Sequence, residues 1–397
     1  PQDGLGRKPL TGANCPNCRH RFEFKQNDSP PNRSGDRVLV HKAIYEFESP
    51  QRGDVVVFKY PVDPQIKQTA QNYIKRLWGF GGETLAINRG DLYATRALEY
   101  PLSALDAGGR PKYPRPADPT RLWEGPYPDS KVVPAYEPSG IDGTYHNAEE
   151  ASEFFDASRA KRFPEGSFGL LRKTDDQMLA MRRIVYDNDR QSTTLAAKGV
   201  PPRWLHDAGW TADNAKEPKS FAHAGEETTW LRYRHLFPKT REEWEQIQLN
   251  GYKPELISPG VVTNFMGYNA GAESSHESRR TTEFWVPDLM IECKAEIRSP
   301  TAEVTLELSK GPNRYRAVFA GGQTKLVRVV PGGATQEIAS VAGGIPGPGT
   351  YGLRFANFDC RLRVWVNGKP LNFGPAADYA PDPLPDHYEE ADQMKEG

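Results

Sequence analysis

Residues 72–94, NYIKRLWGFGGETLAINRGDLYA, hold two strand-like runs on either side of a glycine-rich turn. Aromatic and β-branched side chains in the first run favour a pleated strand, and the glycines at 79, 81 and 82 end it. Successive side chains of a strand point to opposite faces, so Lys75 and Arg76 lie on different faces. Whichever face is buried therefore carries a cation.

Lys75 and Arg76 differ in what they can do on a buried face. A lysine amine acts as a general base only when it is neutral, which requires apolar surroundings that lower its pKa from ~10.4. Tyr73, Leu77 and the run VVVF at 55–58 offer such surroundings. A guanidinium stays protonated in proteins. We therefore expect Lys75 to face inward toward a groove and Arg76 to face solvent or an acidic partner. A sheet-edge lysine with its amine in water is the alternative.

The composition argues against several classes of protein. The 397 residues contain 51 Lys plus Arg against 52 Asp plus Glu, so no overall charge points to nucleic acid. The segments RWLHDAGW (203–210) and WLRYRHLFPKTREEW (230–244) mix Trp with Arg, but without a nucleic-acid motif they favour packing and cation–π contacts. No apolar run approaches the ~20 residues that span a bilayer. Because the chain begins PQDGLGRK without Met, we expect an internal piece of a longer protein.

The distribution of strand-like runs, prolines and glycines predicts a mainly β fold with short helices and long loops. The predicted parts are a cysteine knuckle and linker (1–34), a small β-barrel unit (35–100), a Pro/Gly-rich linker with a short helix (101–163), an inserted β-rich domain containing a β-sandwich (164–375) and an acidic mobile tail (376–397). Expected strands include 36–42 (DRVLVHK), 178–189 (MLAMRRIVYDND) and 360–368 (CRLRVWVNG), the last of which should close the sandwich.

Cys15 and Cys18 form a C-x-x-C knuckle, NCPNCRHRF, that is typical of half a zinc ribbon. A structural zinc site needs four ligands, and Cys293 and Cys360 lie far away in strand-like segments. His20 has the wrong spacing for a standard ribbon, so we expect the second pair to precede this chain. A partial structural zinc site and a redox or vestigial pair both stay open, and no cofactor for catalysis is indicated.

Three blocks occur in the order SGDRVLVHK, QRGDVVVFKYP and NYIKRLWGFGGETLAINRGDLYA. They resemble type I signal peptidases, which are membrane-bound serine proteases that cut leader peptides from exported proteins. In that family the third block carries the catalytic lysine, and Lys75 matches it. The resemblance implies that Lys75 is the general base of a Ser-Lys dyad. It also implies residues that support the substrate groove or the core, namely Asp36, Val56, Phe58, Tyr73, Ile74 and Arg76.

The chain departs from the family pattern in two places. No S-M-x-P occurs, so the nucleophilic serine is not in this chain, and Ser34 lacks the required context. The late G-D-N-x-x-S-x-D-S-R block is absent as well, and YDND at 186–189 does not replace it. The sequence resembles the middle of a planctomycete-type enzyme that has a cysteine ribbon and a large insertion. On its own, this chain is expected to be inactive.

The resemblance implies partners and a location. The substrates would be exported preproteins with signal peptides. The cytoplasmic (inner) membrane would be reached through an N-terminal anchor that lies outside this chain, with the catalytic domain on the extracytoplasmic side. No nucleic-acid partner is expected.

Residues 280–375 carry a second resemblance, to concanavalin- or laminin-G-like sandwiches. The runs alternate strictly between apolar and polar residues, and the last hairpin turns at Asn367 and Gly368. Such sandwiches bind sugars or proteins, so a non-catalytic carbohydrate- or protein-binding protein is the alternative function.

Four residues of this region have two interpretations each. Trp285 and Trp365 are either a sugar-binding platform or core aromatics, and core packing is favoured. Cys293 and Cys360 form a disulfide if two strands bring them together, and otherwise they are free buried thiols.

Overall fold

The computed structural model describes residues 12–15, 17, 20–24, 37–59, 72–88, 91–96, 168–238, 241–263, 286–311 and 313–381. The chain is mainly β with short helices, which confirms the predicted class. Within these ranges no helix is both long and apolar enough to cross a membrane. Some predictions lie outside the described residues, namely those for Asp36, Cys18, Trp285, the linker at 101–163 and most of the acidic tail.

The elements follow one another along the chain in three groups. The first contains β1 (Gly12–Asn14), β2 (Arg21–Glu23), α1 (Ile44–Phe47), β3 (Val55–Lys59), β4 (Asn72–Arg76), β5 (Thr84–Asn88) and β6 (Asp91–Thr95). The second contains β7 (Gly169–Leu170), α2 (Asp175–Met181), α3 (Thr193–Ala197), β8 (Trp204–His206), β9 (Trp210–Ala212), β10 (Phe221–His223), β11 (Leu231–Tyr233) and α4 (Arg241–Asn250). The third contains β12 (Leu289–Ile297), β13 (Val304–Lys310), β14 (Asn313–Ala320), β15 (Gln323–Val329), β16 (Thr335–Ala342), β17 (Gly349–Phe358), β18 (Arg361–Val366) and β19 (Lys369–Pro370).

The third group forms a β-sandwich of two four-stranded antiparallel sheets. One sheet has the order β12–β17–β18–β19 and the other has the order β13–β14–β15–β16. Strand alternation explains the packing, because Tyr315, Ala317 and Phe319 of β14 are fully buried while the residues between them are less so. They share one core with Phe355 and Val364 of the opposite sheet. Burying each large side chain contributes roughly 1.5–3 kcal/mol.

The predicted turn at Asn367 and Gly368 is confirmed. Both residues have positive φ, 52° and 76°, and they connect β18 to β19 where Val366 pairs with Lys369. Two consecutive residues of positive φ are the mark of a type I′ hairpin turn, which suits an Asn-Gly pair. The strand β18 itself lies inside its sheet, between β17 and the short edge strand β19. The strand β16 was not predicted, because the sequence TQEIASVA at 335–342 does not alternate between apolar and polar residues.

The strand predicted at 178–189 is wrong. The chain forms the helix α2 there, followed by a 3-10 turn at Asn188–Arg190. A capping box begins the helix, since the Thr174 hydroxyl accepts from the Gln177 N–H and the Gln177 side chain accepts from the Thr174 N–H. Met178 of this helix packs in a small buried cluster with Phe358 and Trp365. The capping sequence TDDQ at 174–177 therefore outweighs the strand-like run that begins at Met178.

Between residues 37 and 96 the described strands form small sheets. β3 pairs with β4, whereas β5, β6 and β7 form a three-stranded sheet. The strand expected at 36–42 is absent from its described part, 37–42, where Val38 and Leu39 are largely exposed. A strand needs a neighbour for its backbone groups, and no described strand pairs with this segment. The described residues of this region include no closed barrel.

The second group packs around its own core between α3 and α4. Its buried side chains are Leu195, Val200, Leu236, Trp244, Ile247 and Ile257. The expected cation–π packing is confirmed, because the Arg203 guanidinium lies 4.7 Å from the Phe237 ring centroid. The cysteine knuckle contacts this group as well. The Asn17 side chain donates to the Arg190 carbonyl at 2.6 Å, and the His20 ring packs edge-on against Trp244.

Candidate functional site

The β3–β4 pair places most of the predicted site residues on one face. Val56 lies opposite Lys75 and Phe58 lies opposite Tyr73, and directly opposite residues of an antiparallel pair share a face. The Phe58 and Tyr73 rings have centroids 6.2 Å apart. Val56 and Tyr73 are half-buried, and Phe58 is 39% exposed. Lys75 therefore shares one face of the β3–β4 pair with three apolar side chains, those of Val56, Phe58 and Tyr73. We call these three side chains the Lys75 platform.

Lys75 is exposed, which corrects the expectation that it faces a water-excluding interior. The reason is the size of the sheet, because β3 and β4 form a two-stranded sheet and no described strand pairs with either outer edge. An ammonium group is strongly hydrated, so on a sheet this small the Lys75 side chain keeps a large exposed area.

Arg76 is the more buried of the two cations, again contrary to expectation. Its Nη1 donates to the Gly53 carbonyl at 2.7 Å, next to the backbone bonds that link Gly53 and Asp54 to Leu77. It shares the second face of the pair with Val55, Val57 and Ile74, and Ile74 is 48% exposed. A guanidinium can satisfy backbone carbonyls and remain charged, so partial burial costs it less than it costs an amine.

An ion pair between Arg52 and Glu83 fixes the turns that carry these strands. Arg52 donates to both carboxylate oxygens of Glu83, at 2.9 and 3.0 Å, and its guanidinium lies 4.6 Å from the Phe80 ring centroid. The hydrogen bond from Arg52, with one from the Phe80 N–H, lowers the pKa of Glu83. Arg52 was not predicted as a site residue. It holds the turn before β3 against the turn before β5.

A buried group of charges joins the three-stranded sheet to the sandwich. It consists of Asp91 on β6, Lys173 before α2, Asp288 before β12, Lys310 at the end of β13 and Asp359 in the turn between β17 and β18, and we call it the junction cluster. Lys310 Nζ lies 3.1 Å from Asp91 Oδ2 and 3.4 Å from Asp288 Oδ1. Lys173 Nζ contacts Asp359, and it lies 3.5 Å from Asp288 Oδ2. Asp91 and Asp359 are almost completely buried.

Backbone groups complete the junction cluster. The Lys173 N–H donates to Asp359 Oδ2 at 2.7 Å, and the Asp359 N–H donates to Asp288 Oδ1 at 3.2 Å. Asp359 and Cys360 have positive φ, 46° and 53°, which lets the turn aim Asp359 at Lys173. Such a conformation is costly for side chains other than glycine, so the cluster has to stabilise it.

The environment changes how several of these groups titrate. Burial, together with the neighbouring carboxylates, raises the pKa of Asp288 to about 6, although Lys310 opposes the shift. Burial lowers the pKa of Lys310 less than Asp91 and Asp288 raise it, so this amine stays charged. Burial raises the pKa of the Cys360 thiol to about 12 and makes it unreactive. Oxygens of the three carboxylates lie within 4.8 Å of one another. Because two ammonium groups already supply the positive charge, we assign no metal to the cluster.

The junction cluster was not predicted from the sequence. Its members come from segments up to 268 residues apart, and each aspartate taken alone fits a turn or a strand end. One local signal of the cluster lies in the strand DLYAT at 91–95. Alternate residues of a strand share a face, so Asp91 lies on the same face as Tyr93 and is buried with it.

The alternatives for the sandwich residues are now decided for those that the structure describes. Trp365 is 3% exposed and the Arg354 guanidinium lies 5.5 Å from its ring centroid, so it is a core aromatic and not a sugar platform. Cys293 and Cys360 are free thiols, the first exposed and the second buried.

Cys15 is half-buried in the knuckle. Its N–H donates to the His20 carbonyl at 2.8 Å, which closes the turn between β1 and β2. Zinc ligation at this knuckle remains a prediction, because Cys18 lies outside the described residues.

Comparison with known proteins gives the class of the β3–β6 region. Residues 22–111 match the family model described as signal peptidase, peptidase S26. The match covers the Lys75 platform, Arg52, Glu83 and Asp91. This segment is therefore similar to signal peptidases, which are serine peptidases.

Particular relatives support the same class. Signal peptidase I of Aquifex aeolicus is 45% identical over 51 residues, which is 13% of this chain and 18% of the relative. Signal peptidase I of Pseudomonas fluorescens is 45% identical over 47 residues, 12% of this chain and 15% of the relative. That of Pseudomonas aeruginosa is 41% identical over 63 residues, 13% of this chain and 20% of the relative. The chain thus spans a fifth or less of these relatives. No solved structure matches it.

Proposed function

We propose that this chain is a portion of a type I signal peptidase, a membrane-bound serine endopeptidase that removes signal peptides from exported preproteins by a Ser-Lys dyad. Lys75 is the general base in this proposal, and the nucleophilic serine lies outside this chain. The observation that supports it most is the position of Lys75 on the platform of Val56, Phe58 and Tyr73 within the segment that matches the peptidase family.

The exposure of Lys75 fits the chemistry once a cover is added. A lysine takes the proton of a serine hydroxyl only as a neutral amine, so the platform has to be shielded from water during the reaction. Two covers are available in the proposal, namely the serine-bearing segment of the parent enzyme and the substrate itself. An extended signal peptide can pair with an open strand edge, and β3 and β4 both leave their outer edges unpaired among the described strands.

The path of the chain supports an insertion into the peptidase unit. The strand β7 returns to β6 after the linker, with Tyr93 opposite Leu170. Two residues later, Arg172 Nη2 donates to the Tyr379 carbonyl at 3.1 Å, so the start of the segment that follows β7 touches the end of the sandwich region. Adjacent ends are what a domain needs in order to sit within a loop of another. We propose that residues 171–381 are such an insertion in a planctomycete-type enzyme.

The remaining parts of the proposal concern metal, membrane and location. Cys15 and Cys18 would contribute two thiolates to a structural zinc site, with the other two ligands supplied from outside this chain. The enzyme would be anchored in the cytoplasmic membrane and would act on its extracytoplasmic side.

The test is cleavage of a preprotein by the full-length enzyme carrying Lys75→Ala. Loss of a general base is expected to lower the cleavage rate by about 10²–10⁴-fold, with the circular dichroism spectrum unchanged. Lys294→Ala is the matched control, because Lys294 is an exposed strand lysine of the sandwich and should leave the rate unaltered. Normal cleavage by the Lys75→Ala enzyme would rule out the proposed base.

A further inference from the structure

The junction cluster lies between the sandwich and the three-stranded sheet β5–β6–β7, which we call the peptidase-like sheet. The charges of the cluster do not balance. Three carboxylates, those of Asp91, Asp288 and Asp359, face two ammonium groups, those of Lys173 and Lys310. Among these five groups one negative charge is therefore in excess, at a site where Asp91 is 3% exposed and Asp359 is fully buried. The Arg361 guanidinium, which also acts on Asp359, is already paired with Asp378. An unbalanced buried charge is costly, and the group that carries it tends to take up a proton.

The geometry identifies Asp288 as the group that takes the proton. Asp359 receives the Lys173 ammonium and the Lys173 N–H, and Asp91 Oδ2 receives Lys310 at 3.1 Å. Asp288 has the longer ammonium contacts, 3.4 Å to Lys310 and 3.5 Å to Lys173, beside the Asp359 N–H at 3.2 Å, and each ammonium lies nearer to another carboxylate. Asp288 is also the most exposed of the three aspartates, so a proton from solvent reaches it without opening the core.

We propose that the junction cluster is a proton-sensitive latch, in which Asp288 takes up one proton as the pH falls and thereby strengthens the docking of the sandwich onto the peptidase-like sheet. Every titratable or charged group seen to face Asp288 belongs to the cluster or adjoins it. These groups are Asp91 on β6, Lys173 on the connecting segment, Lys310 on β13, and Asp359 with Cys360 in the turn after β17.

The sign of the pH effect follows from the direction of the titration shift. The pKa of Asp288 is about 6 in the closed junction, above its ordinary value of 3.8, which it would regain in water on opening. Between these two values the closed state binds more protons than the open state. Its stability relative to the open state therefore falls as the pH rises through this window. This behaviour is opposite to that of an aspartate held charged by a salt bridge.

Hydrogen exchange of the full chain tests the latch. The amides of β6 and β7 should open more readily at about pH 7 than at about pH 5, and the opening constant should differ by about tenfold after correction for intrinsic exchange. In Asp288→Asn the group can no longer titrate, so the difference should fall below about twofold. The matched control is Glu292→Gln. Glu292 lies on β12, the strand that follows Asp288, but its carboxylate contacts Arg354 outside the cluster.

A second measurement keeps the test decisive if Asp288→Asn does not fold. Carbon-13 shifts of the aspartate carboxyls in the unaltered protein should show Asp288 titrating with a midpoint near 6. A midpoint below about 5 for Asp288, or the mid-range titration on Asp91 or Asp359 in its place, would overturn the assignment. A tenfold pH effect that survives in a folded Asp288→Asn protein would overturn the latch.

Discussion

Lys310 and Lys325 show how strongly burial decides what an ion pair contributes. The Lys310 side chain is 11% exposed and lies between Asp91 and Asp288. The Lys325 side chain is 47% exposed and lies 3.1 Å from Glu337 on the neighbouring strand. Removing one partner of a buried pair leaves an uncompensated charge in the interior, whereas an exposed partner is simply rehydrated.

Substituting Lys310 by Met should therefore lower the free energy of unfolding by about 3–5 kcal/mol, because the buried Asp91 is left beside Asp288 without their shared cation. Lys325→Met should change it by about 0–1 kcal/mol. Urea unfolding of both variants at neutral pH measures the difference. Equal effects of the two substitutions would contradict the assignment of Lys310 to a buried network.

The two cations of β4 also show that burial decides what a charged side chain does, here on a two-stranded sheet. Arg76 donates to the Gly53 carbonyl and is partly buried, while Lys75, on the face that it shares with Val56 and Tyr73, is exposed. An amine becomes a base only by losing water, so in the proposed enzyme the cover over the platform sets the reactivity of Lys75.

At the scale of the element, α2 depends on the residue that precedes it. Thr174 caps the helix, and Gln177 of the same capping box also donates from Nε2 to the Arg52 carbonyl at 3.1 Å. The side chain of Gln177 thus connects the helix start to the turn before β3. The helix is only two turns long, so intrinsic propensity alone would not keep it folded.

Replacing Thr174 by Ala should destabilise the protein by about 1 kcal/mol, because the Gln177 N–H loses its hydrogen-bond acceptor. Thermal or urea unfolding measures the loss. Thr335→Ala, at the exposed start of the edge strand β16, is the control and should stay within about 0.5 kcal/mol of the unaltered protein. A Thr174→Ala protein as stable as the control would show that tertiary contacts alone hold α2.

At the scale of the whole molecule, the residues that precede the segment at 97–167 contact the residues that follow it at several separate places. These are the β6–β7 pairing, the junction cluster, the contact of Gln177 with Arg52 and the contacts of Asn17 and His20 with the second group of elements. None of them runs through the segment at 97–167, which joins the parts covalently.

A specific protease site placed near residue 130 should therefore cut the chain without separating it. After cleavage the two pieces are expected to elute together in size-exclusion chromatography. The noncovalent contacts between the two pieces are numerous enough to hold them together. The same cut in the Lys310→Met protein should release the N-terminal piece more readily. Separate elution of the pieces from the unaltered protein would contradict a docked arrangement.

Much of this architecture could be predicted from local sequence. Alternation between apolar and polar residues at 304–329 and 349–366 indicates strands, and Asn367-Gly368 specifies a hairpin turn, because both signals act over a few residues. The three blocks at 34–94 indicated the peptidase class for the same reason. The helix α2 was also readable, since its capping sequence is local, although the strand-like run beyond it was given more weight.

Tertiary structure alone decided how the charges are used. Whether Lys75 or Arg76 is buried depends on what covers a two-stranded sheet, and sequence alternation only says that they lie on opposite faces. The junction cluster depends on Asp91, Asp288 and Asp359 meeting across more than 250 residues of chain, and no local pattern encodes such a meeting. Electrostatic energies follow distance and burial in space, whereas strand and turn preferences follow neighbours along the chain.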